Sequence, residues 1–237
     1  MTKDEFKKIR ESFFNTIFLL LGHIANCDGY INRDELRRTK SYMEKMRLSP
    51  YCEQQAIRLF RQGSNPQFNM IKTLESFKDD SAKNSRISEV LLVYVISVAT
   101  VDGLLVEKEL KIIREMAAIL GFSSIIFEHM LRMITAQDKI YRTTENTHSN
   151  KNTNDKNKTK FNDQRPMNPA ELLESAYSAL GISMAADKAE VKKAYRKLVN
   201  QYHPDKVQGQ GLPPEFISAA TEYFKRIHAA YEYIANH

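Results

Sequence analysis

Apolar residues recur at the spacing of an amphipathic helix near the C-terminal end of the chain. Between Val191 and Tyr202 they occupy positions i, i+3, i+4, i+7, i+8 and i+11, which predicts a helix with one buried face. Asp187 and Glu190 have the spacing of an N-cap and its capping-box partner, so the helix is predicted to begin there. Pro204 is predicted to end it, because proline lacks an amide hydrogen and disfavours helical geometry in the residue before it.

A second helix is predicted after Gly211 and Leu212, with Pro213 or Pro214 in its first turn. The two helices are joined by about ten residues, so they can lie antiparallel, bury their apolar stripes against each other and leave the connecting bend exposed. The inward positions of the second helix are Phe216, Ala220, Tyr223, Phe224, Ile227, Tyr231 and Ile234.

The bend contains the tripeptide His203-Pro204-Asp205, and the helix before it has a basic outer face. Alone, a basic strip is usually only a solvated helix face. A three-residue motif is likewise a weak match in a chain of this length. Their occurrence side by side favours a binding surface instead. The strip consists of Lys192, Lys193, Arg196 and Lys197.

Residues 1–140 contain an internal repeat centred on two Asp-Gly pairs, Asp28-Gly29 and Asp102-Gly103. In both copies an apolar helix is predicted before the pair and an amphipathic helix after it, so the region is a duplicated unit of helix, turn and helix. The apolar runs Ile17 to Leu21 and Val90 to Val101 are too short to span a bilayer and are interpreted as buried helices.

The Asp-Gly turns also suggest a metal hypothesis. Counting each glycine as the sixth position of a calcium loop makes Asp28, Glu35, Asp102 and Glu109 the candidate ligands. The first ligand position is then aliphatic in both copies and cannot coordinate an ion. The favoured interpretation is that the two aspartates cap helices and the glycines allow tight turns, so no metal or cofactor is expected.

A polar stretch from Thr143 to Asn168 separates the two patterned regions. It is rich in asparagine and lysine, and its only large apolar residues are Phe161 and Met167. Such a segment cannot form a core, so it is predicted to be a flexible tether that lets the two halves move almost independently. The predicted organisation is a helical domain at 1–140, a flexible polar linker at 141–168 and a second helical domain at 169–237.

Composition limits the classes of function that the chain can have. The net charge is +6, but the excess is spread thinly over the chain, so no specific nucleic-acid-binding domain is expected. A nucleic-acid-binding adaptor is nevertheless the alternative function, because the tether is rich in lysine. Cys27 and Cys52 have no short paired spacing, which favours a reducing compartment and no zinc site. The histidines fit no triad or metal spacing, so the chain is not expected to be an enzyme.

The C-terminal region resembles a J-domain. The matching segments are Tyr177-Ser178-Ala179-Leu180-Gly181-Ile182, Val191 to Leu198, Tyr202-His203-Pro204-Asp205-Lys206, Ile227 and Ala230-Tyr231. In that family the basic helix and the His-Pro-Asp loop dock on the ATPase and linker region of a DnaK-type chaperone, and docking speeds ATP hydrolysis. The resemblance implies that the chaperone-binding residues are Lys192, Lys193, Tyr195, Arg196, Lys197, His203, Pro204 and Asp205.

The duplicated N-terminal unit resembles a TerB-like helical domain, and the combination with a terminal J-domain resembles the DjlA-type co-chaperones. The resemblance implies an all-α fold: a duplicated TerB-like bundle, the linker, and an antiparallel J-domain hairpin with a short leading helix. The implied function is a co-chaperone in protein folding and the stress response. It would bind a DnaK-type chaperone through the J-domain and stimulate its ATPase, while the TerB-like domain sets location or client choice.

The resemblance also implies a location and further partners. DjlA-type proteins carry a membrane anchor ahead of the TerB-like region, and none is visible in this sequence. The expected location is therefore the cytoplasmic side of the bacterial inner membrane if an anchor has been removed, and the cytoplasm for the chain as given, which is expected to be soluble. The partner or client of the TerB-like domain is not identified. The helix surface around Met130, Leu131 and Met133 could support a homodimer.

Overall fold

The computed structural model describes residues 2–27, 29, 43–44, 46, 48–82, 85–100, 105–149, 168–209 and 212–237. Over these residues the chain forms ten α-helices, one 3-10 turn at Pro214–Phe216 and no strand, which confirms the prediction of an all-α fold. The helices are α1 (Lys3–Ala25), α2 (Pro50–Gly63), α3 (Met70–Asp80), α4 (Ser85–Ala99), α5 (Glu107–Ile119), α6 (Ser124–Ser149), α7 (Pro169–Ala179), α8 (Lys188–Tyr202), α9 (Pro204–Gly209) and α10 (Ile217–Ala235).

Side-chain caps determine where several of the helices begin. The predicted capping box of α8 is confirmed: Oδ1 of Asp187 accepts a hydrogen bond from the Glu190 amide at 2.8 Å, and the Glu190 carboxylate accepts one from the Asp187 amide at 3.0 Å. The same reciprocal arrangement of Thr2 and Glu5 starts α1. Each such cap satisfies amide groups that have no partner within the helix.

The N-terminal domain is built around α1, which packs against α2, α3, α4 and α5. Helices α1 and α2 cross in close contact at two glycines. Gly22 faces the backbone of Phe60, and Gly63 faces the backbone of Leu19, so a methyl group at either position would overlap the opposite helix. The absence of a side chain at these two positions is what allows the helices to approach closely.

Both apolar runs of this domain are buried helices, as predicted. In α1, Ile17 and Phe18 are fully buried, and in α4, Leu91 and Ile96 are fully buried. None of the described helices is both long and apolar enough to cross a membrane. The first repeat turn contains Gly29 in the left-handed region, at a φ of 89°, which fits the prediction of a tight turn.

Helices α8 and α10 form the antiparallel pair that the sequence predicts for the C-terminal domain. Tyr195 stacks on Tyr231 with ring centroids 4.2 Å apart, and Tyr202 meets Tyr223 edge to face at 4.9 Å. Residues early in α8 therefore contact residues late in α10, which defines antiparallel packing. Fully buried Ile227 lies between these two aromatic pairs along α10, and α7 supplies the short leading helix.

Helix α6 joins the two domains. It packs against α4 and α5 of the N-terminal domain and also against α7 and α10 of the C-terminal domain. The side-chain amide of Gln137 donates a hydrogen bond of 2.9 Å to the Ala179 carbonyl at the end of α7. Arg226 of α10 forms a largely buried ion pair with Asp138 of α6. One helix therefore contributes to the cores of both domains.

The two domains share a packed interface in the structure, whereas the sequence suggested that the two halves move almost independently. Their relative motion stays a prediction. The segment from Thr143 to Ser149, which the sequence assigned to the tether, continues α6 as a helix. Its polar composition does not prevent this, since a helix extending from a packed core needs no apolar face of its own. Residues 150–167 lie outside the described residues, so the flexibility of that part of the linker stays a prediction.

The surface suggested for a homodimer is partly used within the chain. Met130 is buried, and a side chain at Gly181, just after α7, would meet Met133 and His129 of α6. Gly181 has a φ of 70°, so it both allows the turn after α7 and leaves room for these side chains. The homodimer itself stays a prediction.

Candidate functional site

The predicted bend after α8 is largely helical. Helix α8 ends at Tyr202, as predicted, His203 has extended backbone geometry, and α9 begins immediately at Pro204. Proline suits the first turn of a helix because its ring already holds φ near the helical value. The carbonyl of His203 accepts hydrogen bonds from the amides of Lys206 at 2.9 Å and Val207 at 3.0 Å, and Val207 is buried. The three-residue motif is therefore held in a defined conformation.

Within the motif, His203 stabilises the backbone of Asp205. The Asp205 amide donates a hydrogen bond of 3.3 Å to Nδ1 of His203. With Nδ1 as the acceptor, Nε2 is the ring nitrogen that is left to donate to a partner. The Asp205 carboxylate lies 4.0 Å from Nδ1, and its side chain is 88% exposed. The motif thus presents an exposed carboxylate on a backbone that the turn holds.

Phe224 of α10 packs against the His203 ring. The two rings are in edge-to-face contact, with centroids 5.8 Å apart and an interplanar angle of 77°. The periodicity placed Phe224 in the core between the hairpin helices, whereas in the structure it is half-buried and lies against the motif. Only the distance between the second helix and the bend could have revealed this role, and the sequence does not give that distance.

The basic strip is open to solvent along α8. All four of its cationic side chains are exposed, and none makes an ion pair with any residue that the structure describes. They lie on the side of α8 opposite its buried residues Val191 and Leu198. The strip is therefore available to an acidic partner without first breaking an internal contact.

Tyr195, the aromatic residue among the predicted contacts, is half-buried at the edge of the hairpin. Its ring stacks on Tyr231, and its hydroxyl lies 3.1 Å from Nδ1 of His228. Burial raises the pKa of the Tyr195 hydroxyl above its ordinary value, and Tyr231 and Glu232 act in the same direction. The Tyr195 ring packs α8 against α10, and the rest of its side chain is exposed to solvent.

The residue before the motif connects the two domains. The hydroxyl of Tyr202 donates a hydrogen bond of 2.8 Å to Oε1 of Glu89 in α4, and the side-chain amide of Gln201 donates one of 2.6 Å to the same oxygen. Burial raises the pKa of Tyr202 well above its ordinary value, with Tyr223 and Glu89 adding to the effect, so the hydroxyl remains a donor. The sequence predicts Tyr202 to be a core aromatic, which is confirmed, but not its partner in the other domain.

A second hydrogen bond between the two domains is made by a residue that follows α9 in the chain. The hydroxyl of Tyr94 in α4 donates a hydrogen bond of 3.0 Å to the carbonyl of Phe216. The Phe216 ring is fully buried among aromatic side chains of the N-terminal domain, with centroids 5.1 Å from Phe13 and 5.7 Å from Tyr94. The periodicity predicted that Phe216 is buried, but it is buried against α1 and α4.

These interdomain contacts leave the motif and the basic strip uncovered. They involve the last residues of α7 and α8, the 3-10 turn and one side of α10, whereas the lysines and arginine of the strip and the Asp205 side chain are exposed to solvent. Occlusion of this surface by the N-terminal domain would have argued against a binding role. Among the described residues, no part of the N-terminal domain covers the strip or the Asp205 side chain, which are exposed to solvent.

Of the four candidate metal ligands, Glu109 alone lies within the described part of the chain. Its buried carboxylate accepts a hydrogen bond of 3.0 Å from the Val106 amide, so it caps the start of α5. Asp28, Glu35 and Asp102 lie outside the described residues. Among the described residues, no cluster of three or more histidine, cysteine, aspartate or glutamate side chains could hold an ion.

Family profiles match both halves of the chain. The DnaJ domain profile matches residues 175–237, and the profile described as Tellurite resistance protein TerB matches residues 15–132. The antiparallel hairpin with its exposed His-Pro-Asp motif, together with these matches, defines a J-domain protein that carries a second, TerB-type helical domain.

Comparison over most of the chain identifies the family. Co-chaperone protein DjlA of Coxiella burnetii is 32% identical over 231 residues, covering 96% of this chain and 78% of that protein. The protein of the same name from Shewanella oneidensis is 31% identical over 220 residues, covering 93% and 76%, and that from Vibrio cholerae is 32% identical over 231 residues, covering 95% and 78%. The chain belongs to the DjlA family of co-chaperones. No solved structure shows significant similarity to it.

Proposed function

We propose that this protein binds a DnaK-type chaperone through α8 and the His-Pro-Asp motif and stimulates its ATPase. The proposal is carried by an exposed Asp205 carboxylate in a structured turn at the end of the helix that bears the basic strip, whose four cations make no ion pair with any described residue. The family's name, co-chaperone, fits such a surface. The protein then acts on the catalytic site of its partner and needs no catalytic residues or cofactor of its own.

The parts of the surface have separate roles in the encounter. The basic strip steers the protein toward an acidic groove of the chaperone, an effect that weakens as salt is added. Asp205 accepts charge-assisted hydrogen bonds from an arginine of the chaperone. Pro204 and the His203 ring hold the turn in its bound shape beforehand, so less conformational entropy is lost on docking. The Nε2 proton of His203 is a further donor to the partner.

Two substitutions test the proposal. We expect Asp205→Asn and His203→Gln to abolish stimulation of the chaperone's single-turnover ATP hydrolysis, because the first removes the acceptor charge and the second removes the ring that holds the turn. Far-ultraviolet circular dichroism and the melting temperature should be unchanged, since both side chains are outside the core. Asp79→Asn, at an exposed aspartate of α3, is the matched control. Retained stimulation in either motif variant would refute the proposal.

The N-terminal domain is proposed to set where the chaperone acts or which client it receives, at the cytoplasmic side of the inner membrane. Support comes from the architecture, in which the domain is packed on the J-domain through α6 and α4. Capture of partners should use the whole chain carrying Asp205→Asn, which suppresses chaperone binding and leaves the N-terminal surface intact. Recovery of no partner beyond those of an unrelated helical protein would remove this assignment.

A further inference from the structure

We propose that Glu89 and Tyr94 of α4 are positioning residues for the His-Pro-Asp motif, so that the N-terminal domain contributes directly to chaperone activation. This inference rests on the proposed function and adds to it two residues that lie outside the J-domain. The reason is geometric. One helix of the N-terminal domain holds the chain on both sides of the motif, at Tyr202 before it and at Phe216 after it.

The connection before the motif acts on the last turn of α8. Oε1 of Glu89 accepts two hydrogen bonds, from the Tyr202 hydroxyl and from the Gln201 side-chain amide. Tyr202 is buried and precedes His203 directly, so its position sets the direction in which the chain leaves α8. Hydrogen bonds to a charged acceptor in a partly buried site are stronger than those between neutral groups. Glu89 therefore restrains the motif through its immediate neighbour.

The connection after the motif acts on the 3-10 turn. The Tyr94 hydroxyl donates to the Phe216 carbonyl, and the Phe216 ring fills an aromatic cage that includes Phe13 and Tyr94 itself. The edge-to-face geometry of these pairs, at 82° and 90°, is the favourable arrangement for aromatic rings. Because ring and carbonyl are held together, both the position and the rotation of this segment are determined.

The described residues between the two connections are also held in place by buried side chains. Val207 and Leu212 are buried, and the Leu212 amide donates a hydrogen bond of 3.0 Å to the Val207 carbonyl. A loop whose ends are held on one helix samples fewer conformations than one attached only to its own hairpin. A larger share of molecules then presents His203 and Asp205 in the binding arrangement, which lowers the concentration needed for docking.

This arrangement makes a specific prediction about concentration dependence. Loosening the connections reduces the fraction of molecules in the binding-competent arrangement but does not alter the contacts made once the chaperone is bound. The maximal stimulation at saturation should therefore be retained while the half-maximal concentration rises. Loss of motif residues, by contrast, should remove the maximal stimulation. The two classes of variant are thus distinguished in one titration.

The experiment titrates whole-chain variants against a DnaK-type chaperone and records single-turnover ATP hydrolysis. Glu89→Ala and Tyr94→Phe remove the two connections, and Tyr94→Phe keeps the aromatic ring in its cage. Glu89→Gln keeps a carbonyl acceptor and should restore most of the activity. We expect the half-maximal concentration to rise roughly three- to tenfold for Glu89→Ala. The matched control is Glu75→Ala, at an exposed glutamate of α3 in the same domain.

A double substitution separates positioning from a general loss of stability. If Glu89 acts through Tyr202, then combining Glu89→Ala with Tyr202→Phe should raise the half-maximal concentration by less than the product of the single effects. Independent destabilisation would multiply them. Wild-type activity together with Glu89→Ala and Tyr94→Phe curves that match Glu75→Ala would overturn the positioning role alone. Absence of stimulation by the wild-type chain would instead refute the proposed function and this inference with it.

Discussion

At the scale of single residues, His203 shows how one side chain can organise a binding turn. Its Nδ1 accepts a hydrogen bond from the Asp205 amide, and its carbonyl accepts hydrogen bonds from two further amides. Its ring makes an edge-to-face contact with Phe224. Glutamine could reproduce the acceptor but not the edge-to-face contact of a ring. The histidine is therefore used for its shape and its acceptor nitrogen as well as for its remaining Nε2 proton.

A second histidine, His23, should make the stability of the protein sensitive to pH. Burial lowers the pKa of His23 below its ordinary value of 6.5, and Glu115 opposes this only in part. The unfolded chain then binds the proton more readily than the folded one, so the stabilising effect is present above about pH 6.5 and is lost as the pH falls through the lower, folded pKa. The His23 ring packs against the Phe68 ring, with centroids 5.3 Å apart.

The test compares melting temperatures of the wild type and His23→Gln from pH 7.5 down to pH 5. We expect the wild type to lose more stability on acidification than the variant, which cannot take up the proton. The difference between the two curves cancels the effect of every other titrating group. Curves that remain parallel over the whole range would show that burial of His23 carries no such linkage.

At the scale of elements, the crossing of α1 and α2 depends on two glycines. Replacing Gly22 or Gly63 with alanine would place a methyl group against the backbone of the opposite helix, which cannot move away as a side chain can. Overpacking of this kind costs about 1–3 kcal/mol or more. We expect each variant to lower the free energy of unfolding by at least that amount, although alanine favours helices more than glycine does.

Gly209 provides the matched control for this element. It also lies within a helix, but a methyl group there would meet no other atom within contact distance. Gly209→Ala should leave the free energy of unfolding within about 1 kcal/mol of the wild type or raise it. Urea denaturation followed by circular dichroism measures all three variants. Equal effects at Gly22, Gly63 and Gly209 would contradict close packing at the crossing.

The elements of the C-terminal hairpin were predictable because their signals are local. The capping box at Asp187 and Glu190, the apolar period of α8 and the stop before Pro204 are all contained within a few residues. Helix α9 was not predicted, although Pro204 in a first turn is a helix-start signal. With only six residues, its formation depends on burial of Val207 in the assembled domain, which no local pattern reports.

At the scale of the whole molecule, Phe216 anchors the J-domain on the N-terminal domain. It is fully buried among aromatic rings that belong to the other domain. Phe216→Ala should leave a cavity there and lower the free energy of unfolding by about 3–5 kcal/mol. Met184→Ala, at a methionine that is 50% exposed, is the control and should change it by no more than about 0.5 kcal/mol.

Chemical denaturation monitored by circular dichroism measures both variants. Loss of the anchor should also weaken the coupling between domains, so the transition of Phe216→Ala is expected to broaden or divide into two. A Phe216→Ala protein as stable as Met184→Ala would mean that the J-domain is not held by this ring. The positioning role of α4 would then lose its second connection as well.

The composition of the interface explains why the sequence did not predict the docking. The ion pair of Asp138 with Arg226 and the bond from Gln137 to Ala179 join residues far apart in the chain, and each belongs to an ordinary helical pattern. The polar segment between the domains suggested independence because its composition cannot form a core. Composition of a linker does not report whether the surfaces that it joins are complementary.

The sequence by itself determined the two buried apolar helices, the antiparallel hairpin and the motif with its basic strip, because period, caps and short motifs act over a few residues. Tertiary structure alone decided that α6 belongs to both domains and that Glu89 and Tyr94 hold the two sides of the motif. The Glu89 and Tyr94 contacts join residues more than a hundred positions apart, and their free energy exists only when both surfaces are already folded.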